Sequence, residues 1–93
     1  MKGLRAMAKH ADVFQRQAGL EALGRLALVE DLPLFVESLA DRSKLVQRTA
    51  AWATRQVYSR HPEADRSLLE KALLTKNPRA AWGATRVFAT HFE

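Results

Sequence analysis

Two tryptophans and the arginines around them are the residues of this sequence best suited to recognising a partner. Trp52 and Trp82 occupy the same place in two similar segments, "AAWATRQVYSRH" (50–61) and "AAWGATRVFATH" (80–91). Binding hot spots favour Trp and Arg, and Arg48 and Arg55 lie near Trp52 on a helical wheel. The sequence leaves two alternatives open: the rings fill gaps between adjacent helices, or they are exposed aromatic anchors for a partner.

Three histidines are the residues that could hold a metal ion, but their positions argue against one. His61 and His91 lie at equivalent ends of the two similar segments, so a whole repeat separates them. Zinc–nitrogen bonds are only about 2.0 Å long. His10 belongs to the opposite edge of the expected architecture. A cation interacts favourably with the carbonyl end of a helix, so the sequence predicts helix-end roles and no metal site.

Catalytic motifs are missing from the sequence. It contains no cysteine, no glycine-rich phosphate loop and no His-Glu-x-x-His pattern. Glu37 and Glu70 are equivalent in the repeat, but a whole repeat separates them and we expect both on the solvated outer face. No motif context links a serine to a histidine and an acid; the serines considered are Ser38, Ser43, Ser59 and Ser67. We therefore expect a protein that is not an enzyme and has no cofactor.

Helix signals dominate the segments that carry these residues. Ala, Leu, Arg, Gln and Glu favour helices, and Asn-Gly and Asp-Gly hairpin turns are missing. Asp12, Ser43 and Asn77 can each cap a helix, and Pro62 and Pro78 suit a first helical turn. The fold class is therefore all-α, with helices expected at about 2–9, 13–28, 32–40, 44–60, 62–74 and from 78 onwards.

A repeat of two helices extends over the whole chain. In the first helices, "LFVESLA" (34–40) aligns with "SLLEKAL" (67–73); in the second, "FQRQAGLEALGRL" (14–26) aligns with "VQRTAAWATRQVY" (46–58). Short connections make successive helices antiparallel neighbours. We therefore expect one domain, 1–93, an α-solenoid of three antiparallel hairpins with repeats at about 2–29, 30–61 and 62–92, which could be a fragment of a longer array.

The second helices carry a further pattern. An arginine opens each of them, at Arg16, Arg48 and Arg79, small residues follow at Gly19 and Ala51, and Asp41 precedes Arg48. With these residues the chain resembles the HEAT-like repeat family, in the short bacterial form of the PBS-lyase-type repeats. The resemblance implies a right-handed stack of hairpins, a ladder of ion pairs between such Asp and Arg residues of neighbouring turns, and a protein-binding role.

The charges are expected to separate onto two edges of the stack. The turns inside the hairpins are mainly basic, and the turns between hairpins are mainly acidic. The basic edge could meet an acidic protein or a phosphate backbone, although ordinary solvated turns would show the same composition. The candidate partner-binding residues are Trp52, Trp82, Arg48, Arg55, Arg42, Lys44, Lys76 and Arg79.

Composition limits the setting in which the protein works. The 93 residues include 15 Lys and Arg and 10 Asp and Glu, and the formal net charge is +5. No apolar run approaches the roughly 18 residues of a membrane span. Lys9, His10 and Asp12 interrupt any signal-peptide core. The compartment stays open, with a soluble cytoplasmic protein as the default expectation.

The sequence leaves three functions open. The first is a non-catalytic protein-interaction or scaffolding module, because solenoids present extended surfaces. The second is binding of nucleic acid by the basic edge. The third, an accessory repeat domain of a larger enzyme, depends on the family resemblance alone. We also expect self-association, because Leu4 and Met7 at one end of the stack, and Val87 and Phe88 at the other, with Trp82 as a further candidate there, would be exposed.

Overall fold

The computed structural model describes residues 2–89, and every regular element in that range is helical. A single 3-10 turn, Val29–Asp31, precedes the third helix. The α-helices are Lys2–Ala8 (α1), Val13–Leu26 (α2), Leu32–Ser38 (α3), Lys44–Arg60 (α4), Ser67–Leu74 (α5) and Pro78–Val87 (α6). The prediction of an all-α protein with six helices is confirmed for this part of the chain.

Side-chain caps start the three second helices of the pairs at the predicted residues. The carboxylate of Asp12 accepts from the Phe14 amide at 2.8 Å, and the Ser43 hydroxyl accepts from the Val46 amide at 3.4 Å. Asn77 Oδ1 accepts from the Arg79 amide at 3.0 Å. Each cap satisfies a backbone donor that has no partner inside its helix, which is why α2, α4 and α6 begin where they do.

The start of α5 differs from the prediction. We expected this helix to begin near Pro62, but it begins at Ser67. The chain first makes a turn in which the Ala64 amide donates to the His61 carbonyl at 3.0 Å. Asp65 then accepts from the Ser67 amide and from its hydroxyl, both at 2.9 Å. The Asp65 carboxylate, and not the proline, therefore organises the start of the helix.

Acid should weaken this helix start. The hydrogen bonds from the Ser67 amide and hydroxyl lower the pKa of Asp65, so the carboxylate contributes stability above the ordinary aspartate pKa of about 3.9 and loses it as the pH falls through the lower folded value. In urea unfolding between about pH 6 and pH 3, we expect Asp65→Asn, whose amide oxygen can still accept, to reduce the loss of stability on acidification. An unchanged pH profile in the variant would contradict this role.

The helices pack as pairs joined through their second members. α1 packs on α2, α3 on α4, and α5 on α6, and α4 lies between α2 and α6. The inner face of α4 is buried, and it consists of Ala50, Ala53, Thr54, Val57 and Tyr58. Tyr58 also donates its hydroxyl to the Asp65 carbonyl at 2.8 Å. The longest helix of the described chain thus forms the centre of the core.

In α6 a face made mainly of small residues is buried, as on the inner face of α4. Ala80, Gly83, Ala84 and Val87 are buried, and Phe88 is half-buried. The expectation that Val87 would be exposed at the end of the stack is wrong, because its side chain is fully buried. Small side chains along α6 let this helix approach its neighbours closely enough to enclose Val87.

Each of the three hairpin turns contains the same type of hydrogen bond, which identifies equivalent positions in the turns. In each turn the amide of the capping residue donates to the side chain two positions earlier. The acceptors are His10 Nδ1 at 2.9 Å, Asp41 Oδ1 at 2.9 Å and Thr75 Oγ1 at 3.4 Å. Asp41 and Thr75 therefore occupy the same place in successive turns.

Alignment by the helix caps corrects the expected equivalence of the two tryptophans. Trp52 lies nine residues after the cap Ser43, whereas Trp82 lies five residues after the cap Asn77. The structural counterpart of Trp82 is Arg48, and that of Trp52 is Arg86. The sequence alignment was one helical turn out of register, because a shift of four residues returns a helix to nearly the same face.

Candidate binding groove

A basic groove lies where α4 and α6 begin. Its cavity volume is about 570 Å³, within the range of about 300–1,000 Å³ that is usual for ligand sites. Five of its lining side chains are cations, and no carboxylate is among them. The lining residues are Arg42, Lys44, Gln47 and Arg48 from the α3–α4 turn and α4, with Pro78, Arg79, Trp82 and Arg86 from α6. We call this feature the basic groove.

The helix caps and the small residues of α6 place these side chains together. Ser43 and Asn77 fix the starts of α4 and α6, whose first turns carry Lys44 and Arg79. Gly83 lies against α3, where a Cβ atom would be 3.0 Å from the Leu39 Cδ2 atom. This close approach seats α6 against the end of α3, and α6 also packs on α4, so the two short basic segments face one cavity.

Local structure does not favour cations at these positions. A helix start carries partial positive charge, so each cation in a first turn costs about 0.3–1 kcal/mol at an exposed site. Lys44 and Arg79 both occupy first turns, and neither turn contains an acidic residue. The charge of the basic groove is therefore not explained by helix stability. Residues that break a local rule in this way are typical of functional sites.

An ion pair between the first and second hairpin turns shows how such a cation can be neutralised. Arg16 Nε and Nη2 donate to the two oxygens of Asp41 at 2.8 and 3.1 Å. Arg16 Nη1 also donates to the carbonyls of His10 and Ala11, at 3.0 and 2.8 Å. The fork of the guanidinium thus joins the first hairpin turn to the second.

At the equivalent positions of α4 and of the α5–α6 turn, both partners of this ion pair are replaced. Counted from the helix cap, the counterpart of Arg16 is Gln47, which donates to the Asp41 carbonyl at 2.6 Å. The counterpart of Asp41 is Thr75, which carries no charge. The resemblance implied that Arg48 would take part in a ladder of ion pairs with aspartates, but the residue at that position is Gln47. Among the described residues, Arg48 has no carboxylate partner, and it lines the basic groove instead.

The two tryptophans have different surroundings. Trp52 is half-buried and packs on α2, where a Cβ atom added at Gly24 would overlap its ring. Trp82 is 52% exposed, and the Arg86 guanidinium carbon lies 4.8 Å from its ring centre. Such a distance permits a cation–π interaction. Trp52 therefore fits the gap-filling alternative, and Trp82 fits the alternative of an exposed aromatic.

The groove brings together five of the eight residues singled out from the sequence, namely Arg42, Lys44, Arg48, Arg79 and Trp82. Trp52 and Arg55 do not line it, and Lys76 is exposed in the α5–α6 turn. Sequence reasoning missed Arg86, Gln47 and Pro78. The spacing of Arg86, seven residues after Arg79, was a usable signal because it places both on one face of α6.

Arg55 adds to the positive charge beside the groove. Burial and then the charge of Arg86 lower the pKa of Arg55, although an arginine keeps its charge at neutral pH. Two guanidinium groups therefore influence each other at the α4–α6 contact. An anion bound close to Arg86 would reduce this repulsion.

The histidines have backbone roles in the described structure. His10 accepts from the Asp12 amide, and His61 ends α4, with its own amide donating to the Val57 carbonyl at 2.8 Å. His91 lies outside the described residues. Between residues 2 and 89 no group of three or more His, Cys, Asp or Glu side chains could hold a metal ion.

No described helix is both long enough and apolar enough to span a membrane. A scan against protein-family models returned no match, and neither did searches of curated proteins and of solved structures. Proposals about function therefore depend on the residues of the basic groove.

Proposed function

We propose that this protein is a non-catalytic binding module, a right-handed stack of three HEAT-like hairpins whose basic groove binds a polyanionic partner. The contacts between consecutive second helices support the stack, since α4 packs on both α2 and α6. The equivalent hydrogen bond in each hairpin turn supports the repeat. An acidic protein segment and a nucleic-acid strand are both partners of the required charge.

The observation that carries the proposal is the composition of the groove lining. Arg42, Lys44, Arg48, Arg79 and Arg86 face one cavity without a carboxylate in its lining. A cleft lined by one sign of charge focuses the electrostatic potential and attracts the opposite charge. The groove lining contains no imidazole, thiol or carboxylate, and its excess of cations supports a role in anion binding.

Binding of heparin, a generic polyanion, tests this function. We expect salt-dependent binding, with the Arg48→Gln/Arg79→Gln double variant about tenfold weaker at low salt and with a salt dependence reduced by about two released counterions. Isothermal titration at several salt concentrations measures both quantities.

A double variant elsewhere on the protein provides the matched control. Arg60→Gln/Lys71→Gln removes the same charge, but neither residue lines the groove. Arg60 lies twelve residues after Arg48 in α4, about 18 Å along the helix. We expect this control to bind nearly as well as the wild type. Equal losses in the two double variants, or no binding of heparin by the wild type at low salt, would refute the proposal.

A further inference from the structure

We propose that the basic groove binds single-stranded nucleic acid, with a base stacked on Trp82 and the flanking phosphates held by Arg48 and Arg79. This inference rests on the proposed polyanion-binding function and names the ligand class. It depends on how the aromatic and the cationic side chains are arranged along the two helices.

One face of α6 alternates cations with an aromatic ring. Arg79, Trp82 and Arg86 are spaced i, i+3 and i+7, so they lie along one stripe of the helix, and all three line the groove. Trp82 is 52% exposed, which leaves ring surface for a ligand beside the Arg86 guanidinium. Proteins that bind single strands combine such aromatic platforms with a positively charged path for the backbone.

The facing stripe belongs to α4. Lys44, Gln47 and Arg48 are spaced i, i+3 and i+4 and line the opposite side of the same cavity. The Gln47 amide is held by its hydrogen bond to the Asp41 carbonyl. Arg48 therefore lies next to a fixed polar group. A strand lying between the two helices would have cations on both sides.

The cations are mostly arginines, which suits phosphate. Four of the five are arginine and one is Lys44. The planar guanidinium fork can donate two parallel hydrogen bonds to phosphate oxygens, whereas a lysine acts as a point charge. Carboxylates accept from the same fork, so the remaining lining has to distinguish a nucleic-acid strand from an acidic peptide.

That remaining lining favours a strand over a peptide or a duplex. A helical peptide docks by a row of apolar anchors in an apolar groove, but here the lining offers only Trp82 and Pro78 as apolar side chains. In a duplex the base faces are covered by stacking, so Trp82 would have no exposed base to contact. An unstacked base in a single strand presents the face that an exposed indole can cover.

Two fluorescein-labelled probes of equal charge separate base stacking from phosphate binding. One is an oligothymidylate of about ten nucleotides, and the other is an abasic deoxyribose-phosphate chain of the same length. We expect the wild type to bind the oligothymidylate about tenfold more tightly in fluorescence anisotropy at low salt, which is the scale of one stacked base. A poly-glutamate peptide of equal charge and a duplex of the same length complete the set of probes.

Variants should affect the two probes differently. Trp82→Ala should lower the affinity for oligothymidylate to that for the abasic chain and leave the abasic chain unaffected. Trp82→Phe should keep part of the difference. Trp52→Phe, the matched aromatic control outside the groove, should keep all of it. Arg48→Gln/Arg79→Gln should weaken binding of both probes by a similar factor.

Each other outcome has a defined meaning. Equal affinity of the wild type for the two chains would overturn base stacking and leave polyanion binding standing. Tighter binding of poly-glutamate would make an acidic protein segment the ligand, and tighter binding of the duplex would make it double-stranded nucleic acid. Either result would overturn this inference alone. Failure of every polyanion to bind at low salt would overturn the proposed function together with it.

Discussion

Gly19→Ala should lower the free energy of unfolding by about 3 kcal/mol, near the upper end of overpacking costs. Gly19 lies where α2 crosses α1, and an added Cβ atom would be 2.6 Å from the Ala8 nitrogen and 2.8 Å from the Leu4 carbonyl oxygen. Both obstacles are backbone atoms, so relief requires the two helices to separate. Urea unfolding followed by circular dichroism measures the loss.

Two other glycines provide graded controls for this prediction. At Gly83 the nearest atoms to an added Cβ belong to the Leu39 side chain, which can move, and at Gly3 no atom lies within 4 Å. Alanine is favoured over glycine in a helix interior by about 1 kcal/mol. We therefore expect Gly83→Ala to change stability by less than about 1 kcal/mol and Gly3→Ala to be neutral or stabilising. Similar stabilities for all three variants would show that the α1–α2 crossing is not tight.

Gly24→Ala should destabilise the protein by about 2 kcal/mol through a different contact. The new methyl group would overlap the Trp52 ring and lie 2.9 Å from the Ala53 Cβ atom. Because the main obstacle is a side chain, its removal should relieve the cost. In a double-mutant cycle we expect Gly24→Ala to cost about 1 kcal/mol less in a Trp52→Ala background.

The cycle needs a control in which the tryptophan change is distant from Gly24. Trp82→Ala serves, because Trp82 lines the basic groove on α6 and should not couple to Gly24. Additive effects of Gly24→Ala and Trp52→Ala in urea unfolding would show that the ring does not occupy the notch made by Gly24.

The helix starts could be predicted from the sequence because they depend on local hydrogen bonds. Asp12, Ser43 and Asn77 cap their helices within three residues of the chain, so no tertiary information is needed. The error at α5 has a related cause. Pro62 satisfies the rule for a first helical position, but Asp65 forms the hydrogen bonds that start the helix. A proline is only tolerated in a first helical turn, whereas the Asp65 carboxylate forms hydrogen bonds that stabilise the start of the helix.

The register between repeats could not be read from residue types alone. A shift of four residues turns a helix by about 400°, only about 40° from the starting face. An alignment that is one turn out therefore superposes nearly the same faces of α4 and α6. The helix caps Ser43 and Asn77, and the hydrogen bonds that their amides make to Asp41 and Thr75, fix the equivalence. The same error made Trp52 and Trp82 look like counterparts.

The candidate site could be predicted only in part, because it combines one turn with faces of two helices, α4 and α6. The concentration of cations at the hairpin turns identified Arg42, Lys44 and Arg79, which line the basic groove. Arg86 lies near the other end of α6 and was not counted with the turns. The spacing from Arg79 places Arg86 on the same face of α6, but its place in the groove also depends on how α6 packs against α4, which is a tertiary contact.

Two long-range ion pairs between residues 2 and 89, Arg5–Asp31 and Arg16–Asp41, both join the first hairpin to the second. We expect these two hairpins to open as one cooperative unit. We expect α5 to open more readily, because it buries only Leu69 and Ala72 and has no such ion pair within the described structure. Because α6 forms one wall of the basic groove, opening of the third hairpin would dismantle the binding site. A ligand that binds only the closed form would therefore protect the backbone amides of α5 from hydrogen exchange, although no residue of α5 lines the groove.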